Sequence, residues 1–454
     1  MKPKSSCPDP QDDLFKVRLS DLVNPDHKLC RLARLIDWQQ LEQAIDPHFD
    51  EMGAPALPVR LMVGLLYLQH TYGVSDEAVV DQWVDSPYWQ LFCGETFFQH
   101  RFPCHPTSLV KWRQRLGEAG CEELLAATVQ AGLRSQVITP TSLKRVVVDT
   151  TVQEKNITFP TDSRLYDGAR RQLVQLAGDL DIPLRQTYRK ACRELLPRIG
   201  RYGHAKQYRR LRKAVKTVKG YLGRVYRDVL RQLPALDTLT DTQRAVLVHA
   251  RRLLEQHRHS KNKLYSLHAP EVECISKGKA HKRYEFGVKA SFATTVKEAF
   301  VVGARSFTGN PYDGHTLSEQ LEQVSILCDQ TPQEAYVDRG YKGHQHPGDT
   351  HVFIAGQKRG MTARQRKRLN RRNTIEPIIG HMKTDGKLGR CFLHGELGDA
   401  LNVILCAVGQ NLRKLLRWLF CAWWLVLFGR RFLRTPLNDS LISGSDSLLL
   451  SQSA

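Results

Sequence analysis

The first part of the chain has its hydrophobic residues at helical rather than alternating spacing. Residues 14–134 follow this pattern throughout. A leucine-rich stretch begins after Pro58 and reaches Tyr72 and Gly73, where glycine predicts a helix end. We therefore expect residues 1–140 to form an all-helical N-terminal domain.

A short basic helix is predicted inside this region. The segment His105-Pro106-Thr107-Ser108 provides a helix start, and Gly117 provides an end. Between them the helix would expose Lys111, Arg113 and Arg115 as candidate DNA contacts. It is either the recognition helix of a helix-turn-helix motif or a surface helix of the helical domain.

The hydrophobic pattern changes after Lys144 to one that predicts strands. Valines at 146–148 form a β-branched run that ends in Asp149, as expected for a strand buried on both faces. A helical stretch at 317–327 falls between the third and fourth predicted strands. The further strand-like segments are 284–294, 300–307, 335–337 and 351–354. This order predicts a mixed α/β domain over 141–434.

A long helical segment separates the first two predicted strands. Its apolar residues alternate at spacings of three and four, which is typical of a coiled-coil seam. The seam consists of Tyr208, Leu211, Val215, Val218, Leu222, Val225 and Val229. We expect a basic insertion of antiparallel helices at about 164–258. The serine-rich residues 435–454 predict a loose C-terminal tail.

Charge is distributed unevenly along the 454 residues, whose net charge is +21 with a pI near 9.6. Residues 1–140 have a net charge of −5, with 13 basic and 18 acidic side chains. Residues 161–270 have 25 basic and 9 acidic side chains, a net of +16. Residues 357–390 have 11 and 2, a net of +9. These two basic blocks predict a polyanionic partner, most simply double-stranded DNA bound in a salt-dependent way.

The strongest basic cluster lies on the seam helix and gives further candidate DNA contacts. These are Arg209, Arg210, Arg212 and Lys213. A single basic run is often only a solvated helix face, but two blocks of this size weaken that explanation.

Cysteine content and apolar runs indicate a cytoplasmic protein. The eleven cysteines have no spacing typical of zinc ligands and are expected to be reduced thiols. No apolar secretory signal follows the N-terminus. The apolar run at 418–428 is too short to span a bilayer, so no membrane partner is expected. It is a buried terminal helix, an oligomer contact or an interfacial anchor.

Three acidic residues from separate elements form a candidate metal site. Asp149 and Asp338 each end a predicted strand, and Glu376 lies in the second basic block. Each aspartate alone is better explained by a turn or cap. Together, the three carboxylates have the hard oxygen ligands that suit two Mg²⁺ ions, or Mn²⁺ as a substitute. We therefore treat all three as candidate metal-binding and catalytic residues.

Two cations accompany Glu376. On an uninterrupted helix, Arg372 and Lys383 would share its face and bind phosphates. Pro377 conflicts with a continuous helix, because a proline disfavours helical geometry in the residue before it. Either the helix starts near Glu376, with Arg372 approaching from a loop, or the helix is kinked there.

These segments together resemble insertion-sequence transposases of the DDE type, in the bacterial group of insertion sequences four and five. The resemblance covers most of the chain. The matching segments are 92–94, 97–100, 148–155, 313–317, 337–341 and 398–402, with the signature Y-x2-R-x3-E-x6-K at Arg372, Glu376 and Lys383. The signature tyrosine is replaced by Leu369, which affects an expected DNA contact rather than a metal ligand.

The resemblance implies an RNase H-like catalytic core interrupted by the helical insertion. Asp149 would lie on its first strand, Asp338 at its fourth strand and Glu376 on a following helix. It also implies a bacterial, nucleoid-associated protein whose N-terminal domain serves DNA binding or oligomerisation. The protein would act on inverted-repeat DNA ends and target DNA as a homodimer or larger synaptic complex.

The function predicted from the sequence is metal-dependent DNA transposition, with phosphodiester hydrolysis at the element ends followed by strand transfer. One alternative is a catalytically inactive repressor that binds the terminal repeats. A second is a structure-specific nuclease that never joins strands. A tyrosine recombinase is disfavoured, since its Arg/His/Arg/Tyr set is not evident in the sequence.

Overall fold

A computed structural model describes residues 17–49, 57–233, 238–257, 259–276, 283–357 and 359–428. The side chains of 422–428 are not described. The predicted tail at 435–454 lies outside the described residues.

The N-terminal region is helical, as predicted. Helix α4 begins after Pro58 and ends at Gly73, whose φ of 70° lets its N–H bond the carbonyl of Gln69. The helices are α1 Leu19–Leu22, α2 Lys28–Leu35, α3 Trp38–Ile45, α4 Val59–Tyr72, α5 Asp76–Asp85, α6 Pro87–Phe92, α7 Thr107–Arg134 and α8 Pro140–Leu143.

Helix α7 differs from the predicted short helix. Gly117 does interrupt it, with φ 64° and ψ −169°, a conformation that favours glycine. The chain then resumes a helical path and continues to Arg134. Gly117 therefore kinks a long helix instead of ending a short one, because the residues after it again carry a buried apolar face.

The α/β part of the chain contains a six-stranded mixed sheet. Its strands are β1 Arg145–Glu154, β2 Glu273–Ile275, β3 Glu285–Thr295, β4 Val301–Phe307, β5 Glu334–Val337 and β6 His351–Ile354. The order is β2-β3-β1-β5-β6, with β4 paired to β3. β1 is antiparallel to β3 and parallel to β5, so it lies at the centre of the sheet.

The strand predicted to end at Asp149 continues five residues further, to Glu154. Pairing with β3 extends through Glu154, and Val152 is fully buried. The prediction that Asp149 ends the strand is therefore wrong. Asp149 is a position within β1, which is paired with β3 both before and after it.

Eight further α-helices follow β1 within the described residues. Four of them lie between β1 and β2, and we call residues 162–255 the insertion and the rest of the described chain the body. The insertion contains α9 Asp162–Asp179, α10 Arg189–His204, α11 Tyr208–Gln232 and α12 Asp241–Glu255. The body contains α13 Asp313–Cys328, α14 Ala363–Asn370, α15 Ile375–Thr384 and α16 Gly395–Phe428.

The body and the insertion have separate hydrophobic cores. The core of the body joins N-terminal helices, sheet and α16, with Leu66, Val147 and Leu405 in one cluster. This core crosses the boundary expected at residue 140. The insertion is built around Val218 and Leu222 of α11, packed mainly against α9. The insertion can thus bury its own apolar surface without the sheet.

Most of the predicted seam is buried in the insertion core. Val218, Leu222, Val225 and Val229 of α11 have almost no exposed surface. Tyr208 is 56% exposed, so its assignment to the seam is wrong. It is the first residue of α11 and lies beyond the surface that the neighbouring helices cover.

Helix α16 packs against α4, α7 and β4, and its apolar residues from Ala400 to Leu419 are buried except for Trp418. At its C-terminal end, Trp418 is 38% and Phe420 52% exposed. Within the described residues, no helix combines the length and the apolar character needed to cross a membrane.

Candidate active site

The parallel pairing of β1 with β5 leads toward both Asp149 and Asp338. The last paired residues are Val147 of β1 and Tyr336 of β5, and each aspartate follows two residues later, so the same register continued would bring them beside each other. Adjacent strands are separated by about 4.8 Å. Each carboxylate is held locally: Asp149 Oδ1 accepts the N–H of Thr150 at 2.8 Å, and Asp338 Oδ1 accepts that of Gly340 at 2.8 Å.

Glu376 is brought to the sheet by the start of α15. A 3-10 turn at Arg371–Thr374 precedes the helix, and Pro377 is its third residue, where a missing N–H costs no helical hydrogen bond. The sequence allowed either a helix that starts near Glu376 or one that is kinked there. The structure has the first, with Arg372 in the turn that precedes the helix. α15 is anchored by Ile375 and Met382, which are fully buried, while the Glu376 side chain is 62% exposed.

Arg372 lies between two of the candidate metal ligands. Its guanidinium is 3.9 Å from Asp149 Oδ2 through Nη1 and 3.7 Å from Glu376 Oε1 through Nη2. Arg372 precedes α15, but the 3-10 turn continues into the helix, so Arg372 and Glu376, four residues apart, still form an ion pair. Lys383 follows Glu376 by two helical turns and is partly buried. The side chain at the signature position, Leu369, is buried in the core.

A fourth carboxylate, Asp313, is part of this arrangement, and the sequence prediction did not assign it a role. It is the first residue of α13, and its Oδ1 accepts from Thr150 Oγ1 at 3.0 Å and from Lys289 Nζ at 2.8 Å. The resemblance includes the segment around Asp313, but nothing in its spacing links it to Asp149. Only the folded sheet brings the two together.

The charges of this group favour cations. Asp149, Asp313, Asp338 and Glu376 supply four carboxylates, with Arg372 against Asp149 and Glu376 and Lys289 against Asp313. A divalent cation would reduce the repulsion among these carboxylates. Among the described residues, no three acidic, histidine or cysteine side chains are close enough to form a complete metal cluster. Although the Glu376 side chain is exposed, its carboxylate lies 3.7 Å from the Arg372 guanidinium of this group.

The predicted surface helix exposes only two of its three cations. Lys111 and Arg115 are exposed, but Arg113 is 4% exposed and cannot reach DNA. Arg113 Nη1 donates to Asp76 Oδ1 at 2.8 Å and to Gln69 at 3.1 Å, and Nη2 also bonds Asp76. The prediction that Arg113 contacts DNA is wrong, because this buried pair joins α7 to α4 and α5.

The pairing with Arg113 also affects the acidity of Asp76. Burial alone would raise the pKa of Asp76, but the hydrogen bonds and charge of Arg113 outweigh burial and hold that pKa below its ordinary value. Asp76 therefore contributes to stability as a carboxylate.

The insertion presents an open basic surface. Arg209, Arg210, Arg212 and Lys213 are all exposed on α11. Beside them lies a cleft of about 1740 Å³, with one wall from α9, α10 and α11 and the other from the segments that join the insertion to the sheet. Its lining includes Arg164, Arg212, Lys216, Lys219 and the exposed ring of Phe159. Phosphates and bases would both find complementary groups there.

Two segments of the chain match family models of transposases. Residues 17–115 match the family model described as a transposase domain (DUF772), and residues 349–416 match that of a transposase DDE domain. The second match contains Arg372, Glu376 and Lys383, whereas Asp149 and Asp338 lie before it. No solved structure matches the chain.

A related protein shares nearly half of the chain. The uncharacterized protein ORF8 in the nfe locus of Rhizobium meliloti is 47% identical over 198 residues, which are 44% of this chain and 96% of the relative. With two transposase models matched, one at each end of the fold, the chain belongs to the DDE transposases of insertion sequences.

Proposed function

We propose that the protein catalyses transposition of its own insertion sequence with Asp149, Asp338 and Glu376 as the metal-binding catalytic residues. The observation that carries this proposal is the parallel pairing of β1 with β5, which leads toward both Asp149 and Asp338, with Arg372 joining Asp149 to Glu376. The three residues come from β1, the end of β5 and α15.

The sheet supports an RNase H-like assignment for this catalytic core. Leaving aside the short β2, the strands are ordered β4-β3-β1-β5-β6, with β3 antiparallel to its neighbours and a helix, α13, between β4 and β5. In that fold the first and fourth strands lie side by side. The insertion then interrupts the core after its first strand, between domains proposed at 1–140 and 141–434.

DDE transposases normally use divalent metal, and the carboxylates here have suitable hard oxygen ligands. Two Mg²⁺ ions, or Mn²⁺ as a substitute, would stabilise the attacking and leaving oxygens at phosphorus. Asp149 and Asp338 would bind them from the sheet, and Glu376 from α15. Arg372 and Lys383 would hold phosphates of the DNA end, Arg372 with two parallel hydrogen bonds.

The proposed reaction has two phosphoryl-transfer steps. Water first attacks the phosphodiester at the end of the element and releases a 3′-hydroxyl. This hydroxyl then attacks target DNA in line, so the bond that forms replaces the one that breaks. The residues contribute positioning and charge neutralisation rather than a covalent nucleophile.

The DNA interface is proposed to involve Lys111, Arg115 and the basic surface of the insertion. Arg209, Arg210, Arg212 and Lys213 are exposed cations outside the active site, as phosphate-contacting residues should be. The paired ends of an element would be bound by a homodimer or larger synaptic complex.

Cleavage of a duplex that carries the element's own ends tests this function. We expect nicking in Mg²⁺ but not in EDTA, and loss of more than about a thousandfold in rate for Asp149→Ala and Glu376→Ala, since ligands to the metal supply most of the catalysis. Both variants should still bind the duplex in a gel-shift assay.

The matched control is Asp385→Ala. Asp385 lies just after α15 and is exposed. Its side chain bonds His381 and Thr384 rather than a residue of the candidate active site, so Asp385→Ala should cleave at near the native rate. A native protein that binds the ends without cutting them would contradict the proposal, as would cutting that survives both substitutions.

A further inference from the structure

Asp313 is bonded to Thr150 and lies close to Gly340, the two residues whose N–H groups hold the candidate catalytic aspartates. Thr150 donates its backbone N–H to Asp149 and its hydroxyl to Asp313 Oδ1. Gly340 donates its N–H to Asp338, and a Cβ at Gly340 would lie 3.0 Å from both Asp313 Oδ2 and Asp338 Oδ1. Asp313 Oδ2 and Asp338 Oδ1 are therefore separated by no more than twice this distance of 3.0 Å. Asp313 therefore lies between the local supports of Asp149 and Asp338.

Asp313 is itself held by a buried cation. Lys289 of β3 is 8% exposed, and its ammonium bonds Asp313 Oδ1 and the carbonyl of Pro311.

We propose that Asp313 is a positioning residue which, through Thr150 and Gly340, holds Asp149 and Asp338 at the separation that divalent cations require. This inference rests on the proposed function, because it assumes that Asp149 and Asp338 bind the cations. It adds to the site a residue outside the Asp149, Asp338 and Glu376 set.

Calorimetric titration of the full-length protein with MnCl₂ tests the inference without relying on activity. Groups that orient metal ligands typically change affinity ten- to a hundredfold when removed. We expect about tenfold weaker Mn²⁺ binding for Thr150→Val, which removes only the hydroxyl that bonds Asp313. Asp313→Asn should weaken binding at least as much.

Two control variants separate positioning from general loss of structure. Thr294 is fully buried on β3 and its hydroxyl has no partner within the described residues, so Thr294→Val should leave Mn²⁺ affinity unchanged. Tyr336→Phe removes a buried hydroxyl that bonds Glu334 instead of the site, and it should also be neutral toward Mn²⁺. Thermal unfolding of each variant reports whether the fold is intact.

Asp149→Ala distinguishes the two proposals. If it abolishes Mn²⁺ binding while Thr150→Val and Asp313→Asn bind normally, the role of Asp313 is wrong and the proposed function stands. If Asp149→Ala binds Mn²⁺ like the native protein, the proposed catalytic site itself is wrong. Weaker binding in Thr150→Val with unchanged Thr294→Val supports the role of Asp313.

Discussion

Several cations of the body are buried in ion pairs, whereas those at the start of α11 in the insertion are exposed, although the insertion also has a buried pair, Arg170 with Asp167. In the body, Arg113, Lys155 and Lys289 are buried, and each is paired with a carboxylate at 3.0 Å or less. In the insertion, Arg209 and Lys213 extend into solvent from a helix whose opposite side is a buried apolar seam. Buried pairs fix geometry, whereas exposed cations remain available to a partner. The same residue type therefore positions a site in one region and presents charge in the other.

The largest effect is expected where a buried pair of the body is broken. Arg113→Ala should lower the free energy of unfolding by about 3 to 5 kcal/mol, because Asp76 is left as a buried charge without its cation. Chemical denaturation measures the decrease. Arg115→Ala, two residues along the same helix but exposed, is the control and should change stability by less than about 0.5 kcal/mol. Equal effects of the two substitutions would contradict the contrast between buried and exposed cations.

The same pair predicts a pH dependence of stability. Since the pKa of Asp76 is lowered in the folded protein, its contribution is fully present above the unfolded pKa near 4 and is lost as the pH falls through the folded value. Denaturation at pH 6 and at pH 3 should show a smaller loss of stability in Asp76→Asn than in the native protein. A parallel decrease in both would show that other carboxylates are responsible.

Separate cores predict separate unfolding. Leu222→Ala removes a fully buried side chain of the insertion core and should destabilise that region by about 2 to 5 kcal/mol. Leu405→Ala should instead destabilise N-terminal helices and sheet together. Hydrogen exchange followed by mass spectrometry distinguishes them: faster exchange confined to 162–255 is expected only for Leu222→Ala. Faster exchange throughout the chain would mean that the two cores unfold as one.

Exposed cations of the insertion should affect DNA binding but not stability. Replacing Arg209, Arg210, Arg212 and Lys213 with alanine should reduce the slope of log affinity against log salt by about 0.9 for each phosphate that these side chains neutralise. Fluorescence anisotropy over a range of salt concentrations measures the slope. An unchanged slope would indicate that this surface binds a second copy of the chain and not DNA.

The smallest effect concerns two glycines with similar space around them. Nothing lies within 4 Å of a Cβ added at Gly220 or at Gly117. Gly220 is in the interior of α11, so Gly220→Ala should stabilise the insertion by about 1 kcal/mol. Gly117 has a positive φ, and Gly117→Ala should destabilise the body instead. Thermal unfolding would show whether the two shifts have opposite signs.

Local patterns in the sequence predicted most elements of the fold. The strands near 284–294, 300–307 and 351–354 are confirmed, and so is the helix from Pro58 to Gly73. Errors arose where tertiary contacts override local pattern. β3 pairs with β1 beyond Asp149 and extends the strand, and Asp76 draws Arg113 into the interior. Neither partner lies near its contact in the sequence.

The sequence by itself determined which residues are chemically suited to the candidate site. Carboxylates after β-branched runs, and a glutamate followed by a lysine two turns later, are local patterns, so Asp149, Asp338 and Glu376 were found without a structure. Whether these residues meet was decided by the tertiary structure, since β1 and β5 pair across more than 180 positions of chain. Asp313 has no local pattern that links it to the site. It lies there because α13 begins where the sheet places Thr150 and Lys289.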